Sequence, residues 1–267
     1  MSVMETKKIG DIVLDVKNIS LSFGGVKALT DISFDVREHE VRAIIGPNGA
    51  GKSSMLNCIN GVYTPQKGTI SFMGQTFDHM DSHQVATMGI ARTFQNLALF
   101  KGMNVIDNLM TGRNLRIKSN ILMQALRIGP AEKEEMRHRE FVEHIIDFLE
   151  IQAHRKTPVG QLPYGLQKRV DLGRALAMEP KVLLLDEPMA GMSASEKSAM
   201  TALIQRVRGE RGVTFLLVEH DIPTIMEISD KIVVLDFGSK IAEGTAQEVQ
   251  SNEAVIAAYL GTDSAAH

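Results

Sequence analysis

The chain has 267 residues, a formal net charge of −3, 44% hydrophobic and 23% charged residues, the profile of an ordinary globular protein large enough for one domain with a subdomain. That charge makes no electrostatic case for nucleic acid, and the single cysteine, Cys58, excludes an internal disulfide framework and fits a reducing compartment. No apolar run approaches the about 18–20 residues that span a membrane, and the N-terminus lacks a signal peptide's apolar core, so a cytoplasmic chain is expected, with any membrane association made through a partner.

The first part alternates like strands: Ile12–Val16, Ile19–Phe23, Ile32–Val36 and Val41–Ile45, separated by turn residues Gly24-Gly25 and Glu38-His39-Glu40. It reads as an antiparallel β region. Phe23 sits at a strand end, where it could pack in the sheet or stack on a purine ring; position alone favours the core.

Directly after the apolar run ending at Ile45 comes Gly46-Pro47-Asn48-Gly49-Ala50-Gly51-Lys52-Ser53, followed by the helix-compatible Ser54–Ile59. Strand, glycine-rich turn and Lys-Ser at a helix start is the context of a phosphate-binding loop. Glycines let backbone N–H groups curl around an anion, and the helix N-terminus adds the positive end of its dipole. Lys52 would reach the β- and γ-phosphates of a nucleotide, and the Ser53 hydroxyl would ligate Mg²⁺. Cys58, on the helix after the loop, reads as a small buried residue rather than a reactive thiol.

Strand Thr69–Phe72 and segment Gly89–Asn96 follow, the latter holding Gln95 at a strand end, where it could contact the metal or the lytic water. From Leu97 to about Ile151 the pattern is helical, with a break at Gly129-Pro130 and an apolar face of Phe141, Ile145, Phe148 and Leu149. Glu132–Arg137 reads as a solvated face. Leu162-Pro163-Tyr164-Gly165-Leu166-Gln167 closes this insertion and opens a helix that a proline stops after Glu179; its N-terminus could complete a site on a neighbouring molecule.

The α/β alternation then resumes. Val182–Leu185 reads as a strand buried on both faces and ends in Asp186-Glu187, where an open parallel sheet places its ligands. Asp186 would hold Mg²⁺, and Glu187 would polarise the attacking water as general base. A helix over 194–207, a strand over 213–218, a helix opening at Asp221, strands over 231–236 and 240–242 and a helix reaching Tyr259 complete the chain. His220 ends the strand after the acidic one, within reach of a γ-phosphate.

In order, the phosphate loop, Gln95, Leu162–Arg169, Leu183–Pro188 and His220 resemble an ABC transporter ATP-binding subunit from end to end. Residues 45–54 and 89–96, Tyr164-Gly165, Ala190-Gly191-Met192 and Ala258-Tyr259-Leu260-Gly261 look like the branched-chain amino acid importer group. The resemblance implies an α/β fold: a P-loop NTPase (RecA-like) core with an N-terminal antiparallel β subdomain (residues 12–95 with the phosphate-loop part of the core), an inserted helical subdomain (96–165) and the remaining core (166–267). It implies an ATPase with ATP and Mg²⁺ bound at Gly46, Pro47, Asn48, Gly49, Ala50, Gly51, Lys52, Ser53 and Ser54, Phe23 stacked on adenine, and Ser53, Gln95 and Asp186 at the metal. Glu187, His220 and Gln95 would be catalytic, His220 as γ-phosphate sensor, and Leu162–Gln167 would act as a signature in trans. The implied partners are membrane permeases docked on the helical subdomain, a second ATP-binding subunit (a paralogue or a second copy) and, indirectly, a solute-binding protein.

Two departures stand out. The family's signature reads Leu-Ser-Gly-Gly-Gln, whereas Pro163 here has neither hydroxyl nor N–H, and Ser193 stands where an aspartate is frequent. The site completed by this signature is therefore expected to be the weaker one. An export ATPase of the lipopolysaccharide type is the alternative within the family; a nucleic-acid or ribosome ATPase would carry two cassettes or long coiled-coil inserts, and a GTPase would carry Asn-Lys-x-Asp.

Overall fold

The computed structural model describes residues 8–77, 81–93, 95, 97–117 and 130–263; Phe94, Asn96 and Gly129 of the sequence reading lie outside them. The elements in chain order are β1 Ile12–Phe23, β2 Val26–Arg37, β3 Val41–Ile45, α1 Lys52–Ile59, β4 Lys67–Phe72, β5 Gln75–Phe77, α2 Ser82–Met88, β6 Ile90–Arg92, α3 Val105–Thr111, α4 Pro130–Phe148, α5 Tyr164–Leu176, β7 Val182–Asp186, α6 Ala194–Arg206, β8 Thr214–Val218, α7 Ile222–Ile228, β9 Lys231–Asp236, β10 Ser239–Gly244, α8 Ala246–Gln250 and α9 Glu253–Asp263. They form two compact units, one made of the residues up to Arg92 and those from Lys181 onward, the other of Thr93–Pro180.

The first unit holds two sheets. The antiparallel one has the order β2-β1-β4-β5; the six-stranded one runs β10-β9-β3-β8-β7-β6, with β9, β3, β8, β7 and β6 parallel and β10 antiparallel on the edge. Strands β3, β7 and β8 are buried along their whole length, as continuous apolar runs in a parallel sheet require. Side chains of both sheets and of α1, among them Leu14, Phe72, Leu56, Leu184 and Val233, share one core. Burying each contributes about 1.5–3 kcal/mol.

The two short strands read at 12–16 and 19–23 are one strand, and the strand read from Ile32 begins at Val26. The interruption at Lys17-Asn18 is a bulge: the register against β2 shifts between Val16 and Ile19, and Asn18 adopts φ +52°. Its amide donates to Ser33 Oγ at 2.8 Å and its side-chain nitrogen to Asp31 Oδ1 at 2.8 Å, so polar side chains hold the kink while the hydrogen-bonded ladder continues on either side.

In the second unit, α5 packs on α3 and α4. A Cβ on Gly173 would lie 2.6 Å from Leu149 Cδ1 and 3.2 Å from Leu109 Cδ2, so any larger residue would make these two leucine ends shift. The compact helical unit runs to Pro180 and takes in α5, whereas the helical subdomain was expected to end at residue 165. The buried apolar face of α4 is Val142, Ile145 and Ile146, continued by Leu149 just past its end; Phe141 and Phe148, expected on it, flank it half-buried, Phe141 with its ring against the Arg113 guanidinium at 4.3 Å.

Candidate functional site

The glycine-rich loop connects β3 to α1 and lines a cleft of about 320 Å³ with Val26, Lys27, Ala28, Glu187 and His220. Gly46 leaves β3 with φ +151°, and a Cβ there would lie 2.0 Å from the carbonyl oxygen of Leu235 on β9. The loop is thus threaded against β9 at a point no side chain could occupy. Helix α1 starts at Gly51, which offers no side-chain cap, so its first turn faces the cleft without a protein acceptor built in.

Lys52 is buried, and its Nζ donates to the carbonyls of Gly46 at 2.7 Å and Pro47 at 2.8 Å. Burial lowers its pKa, while the carboxylates of Glu187 and Asp186 oppose that shift. Ser53 is exposed, Ser54 half-buried, and both line the cleft with Asn48, Gly49, Ala50 and Gly51.

Asp186 ends β7 and is buried. Its Oδ2 accepts from Arg92 Nη2 at 2.7 Å, whereas its Oδ1 is buried with no hydrogen-bond partner. Arg92 also donates from Nη1 to Asn57 Oδ1 on α1 at 2.6 Å, tying the metal-ligand candidate to the helix behind the phosphate loop. Nothing in the sequence singled out Arg92 or Asn57; the pairing follows from β6 lying beside β7, which spacing alone does not reveal.

Glu187 adopts φ +49°, a conformation uncommon for a residue with a side chain, and its Oε1 lies 2.7 Å from His220 Nε2. The strand order brings this about: β7 and β8 are parallel neighbours with Asp186 opposite Val218, so the two residues that follow leave the sheet side by side. Glu219, absent from the sequence reading, is buried between them and accepts from Met189 N at 2.7 Å and His220 N at 3.1 Å. Burial pushes its carboxyl pKa up, the two amide bonds pull it back, and the charge of Glu187 adds to the rise. Ser193 caps α6, and its backbone N–H is held by Glu196 Oε2 at 2.9 Å, so the residue replacing the frequent aspartate serves as a helix cap.

Phe23 is 45% exposed, which sets aside the core placement that position favoured; its ring meets Tyr63 edge to face at a centroid distance of 5.0 Å. Cys58 is buried, and burial pushes its thiol up to about 12.

In the helical unit, Pro163 precedes the first residue of α5 without a side-chain cap, Tyr164 is exposed, Leu162 and Gly165 are buried, and Gln167 Nε2 donates to the Leu162 carbonyl at 2.8 Å. Gln95 is exposed. The loop before α3 is organised by buried Asn108, whose side chain accepts from Phe100 N and donates to the carbonyls of Phe100, Met103 and Asn104 at 2.9–3.1 Å; Phe100 and Met103 project outward from it.

A family model described as "ABC transporter" matches residues 29–190. The chain belongs to the ABC transporter family. It is an ATP-hydrolysing cassette of that family. A second model, described as a branched-chain amino acid ATP-binding cassette transporter, matches residues 239–265 of the cassette. It is 36% identical to the high-affinity branched-chain amino acid transport ATP-binding protein BraF of Pseudomonas aeruginosa, over 93% of this chain and 98% of that protein. It is 33% identical to LivG of Escherichia coli, which carries the same description, with the same coverage. Among solved structures it is similar to the ADP conformation of an ATP-binding cassette, with a TM-score of 0.82 and 31% identity over 94% of this chain and 99% of that one.

The donor set fits a magnesium nucleotide. A hydroxyl on Ser53, one unpartnered buried carboxylate oxygen on Asp186 and a glycine-lined cleft are what an ion bound chiefly through phosphate and water oxygens needs.

Proposed function

We propose that the cassette powers the uptake of branched-chain or related amino acids by hydrolysing Mg-ATP as one of two ATP-binding subunits on the inner face of the membrane. The observation that carries the hydrolytic part is the pairing of Glu187 Oε1 with His220 Nε2 at 2.7 Å across the mouth of the phosphate-loop cleft. The amino acid substrate rests on the names of the relatives and on the second family model.

ATP would place its phosphates in the loop Gly46–Ser53, with Phe23 against the adenine. Lys52, held by two loop carbonyls, would exchange them for the β- and γ-phosphate oxygens. Ser53 and Asp186 through Oδ1 would hold the magnesium, which when bound neutralises phosphate charge and orients the γ-phosphate. Glu187 would take a proton from the attacking water as its oxygen bonds to the γ-phosphorus and the bond to the β-phosphate oxygen breaks. His220 would donate to the γ-phosphate and report its departure.

The site would be closed by Leu162–Gln167 of a second subunit, head to tail. No described helix is long and apolar enough to cross a membrane, and in the proposed assembly the solute path lies in partner permeases. Phe100 and Met103, on the loop pinned by Asn108, offer an apolar face for those permeases. The test is uptake of radiolabelled leucine by cells lacking the gene: wild-type chain restores it and Glu187→Gln does not. Normal leucine uptake without the gene would contradict the amino acid reading.

A further inference from the structure

The end of β8 grips the segment around Glu187 at two points. The Val218 carbonyl accepts from Glu187 N at 2.9 Å, and Glu219 Oε1 accepts from Met189 N at 2.7 Å. Between these two anchors Glu187 is held at φ +49°, a conformation that persists only where the surroundings enforce it. The other oxygen of the same carboxylate, Oε2, accepts from the backbone of His220 at 3.1 Å. A single buried side chain therefore binds the loop behind one reacting group and the backbone of the other.

We propose that Glu219 is a positioning residue for hydrolysis: it couples the loop Pro188–Ser193 to His220, so that the Glu187 carboxylate and the His220 imidazole move as one body. The inference rests on the hydrolytic reading above. It explains why a carboxylate only 4% exposed is placed close to a second carboxylate, an arrangement that is costly unless both oxygens are used. A backbone carbonyl or a hydroxyl could satisfy either amide; only a side chain with two acceptor oxygens of this length satisfies both. Lys197, paired with Asp221 at the head of α7, adds a second tie between α6 and the His220 segment. When the γ-phosphate leaves and His220 shifts, Glu219 transmits the shift to Met189 and so to the loop that leads into α6.

Two substitutions separate this role from others. Glu219→Gln keeps size but has one acceptor oxygen, so one amide faces an N–H donor. Glu219→Asp keeps charge but is one methylene short of spanning both amides. Neither touches the phosphate loop or Lys52. In single-turnover hydrolysis of Mg-ATP by the full chain in excess, both variants are expected to be roughly 10- to 100-fold slower, the scale of a misplaced catalytic group. Binding of a fluorescent ATP analogue is expected within about threefold of wild type, and the melting temperature to fall by about a few degrees, since each variant leaves one buried amide poorly paired.

Wild-type rate in either variant would overturn the proposal. In Glu219→Asp it would show that charge alone matters, and in Glu219→Gln that the second oxygen is dispensable. Parallel loss of ATP binding, hydrolysis and melting temperature would overturn it too, by showing a merely structural role. A wild-type chain that releases no phosphate would contradict the hydrolytic reading itself, whereas an active wild type with equally active variants contradicts only the role of Glu219.

Discussion

Replacing Arg92 by methionine isolates the ion pair behind the metal-ligand candidate. The Arg92 and Asp186 side chains are 6% and 7% exposed, and their atoms meet at 2.7 Å. Methionine keeps much of the arginine stem, so little cavity opens, but Asp186 is left buried with Oδ2 as well as Oδ1 unpaired. Stranding one partner of a buried pair costs about 3–5 kcal/mol, and the lost bond to Asn57 adds roughly 1 kcal/mol. Against a total stability of about 5–15 kcal/mol this is a large fraction. The chain has no tryptophan, so the assay is urea unfolding followed by far-UV circular dichroism. The double variant Arg92→Met with Asp186→Asn removes the stranded charge and is expected to recover at least about 2 kcal/mol, a favourable coupling in the double-mutant cycle. A loss below about 1 kcal/mol in Arg92→Met, or strict additivity in the double variant, would refute the reasoning.

Gly46→Ala forces a methyl group to 2.0 Å from the Leu235 carbonyl at φ +151°, so it is expected to cost about 3 kcal/mol or more and to abolish Mg-ATP binding, both read by ligand-dependent thermal melting. Pro163→Ser supplies α5 with a capping hydroxyl worth about 1 kcal/mol in melting experiments. By restoring the hydroxyl of the regular signature it is also expected to raise ATP turnover roughly tenfold in a homodimer; unchanged turnover would contradict the weakened-site reading. For Cys58, burial holds the neutral thiol from its ordinary value of 9.0 up to about 12. Its contribution to stability is therefore complete below pH 9 and lost as pH rises toward about 12, so Cys58→Ala should flatten the decline of stability across that window. The native thiol should also resist iodoacetamide at neutral pH and react once urea unfolds the chain.

Much of this site was legible because its parts are short and contiguous. Gly46–Ser53 carries its own strand and helix, and Val182–Asp186 announces burial by four apolar residues before a carboxylate. What the sequence concealed depends on pairings between distant segments. Arg92 bridges Asp186 and Asn57 only because β6 lies beside β7 and α1 is within its reach. Glu219 drew no reading from the sequence; it is buried, and its partners are the amides of Met189, thirty residues away, and His220. Lys17-Asn18 read as a strand break because its polarity interrupts the alternation, although those polar groups sustain a bulge within one strand. The end of the helical subdomain at residue 165 came from the resemblance, whereas α5 packs within the compact unit Thr93–Pro180 through contacts between distant segments.

The central claim is that this chain hydrolyses ATP with Glu187 as the base, and phosphate release from Mg-ATP tests it most directly. Wild-type chain and Glu187→Gln should bind the nucleotide alike, while the variant releases phosphate roughly 10²–10⁴-fold more slowly. Equal release by the two proteins would contradict the account.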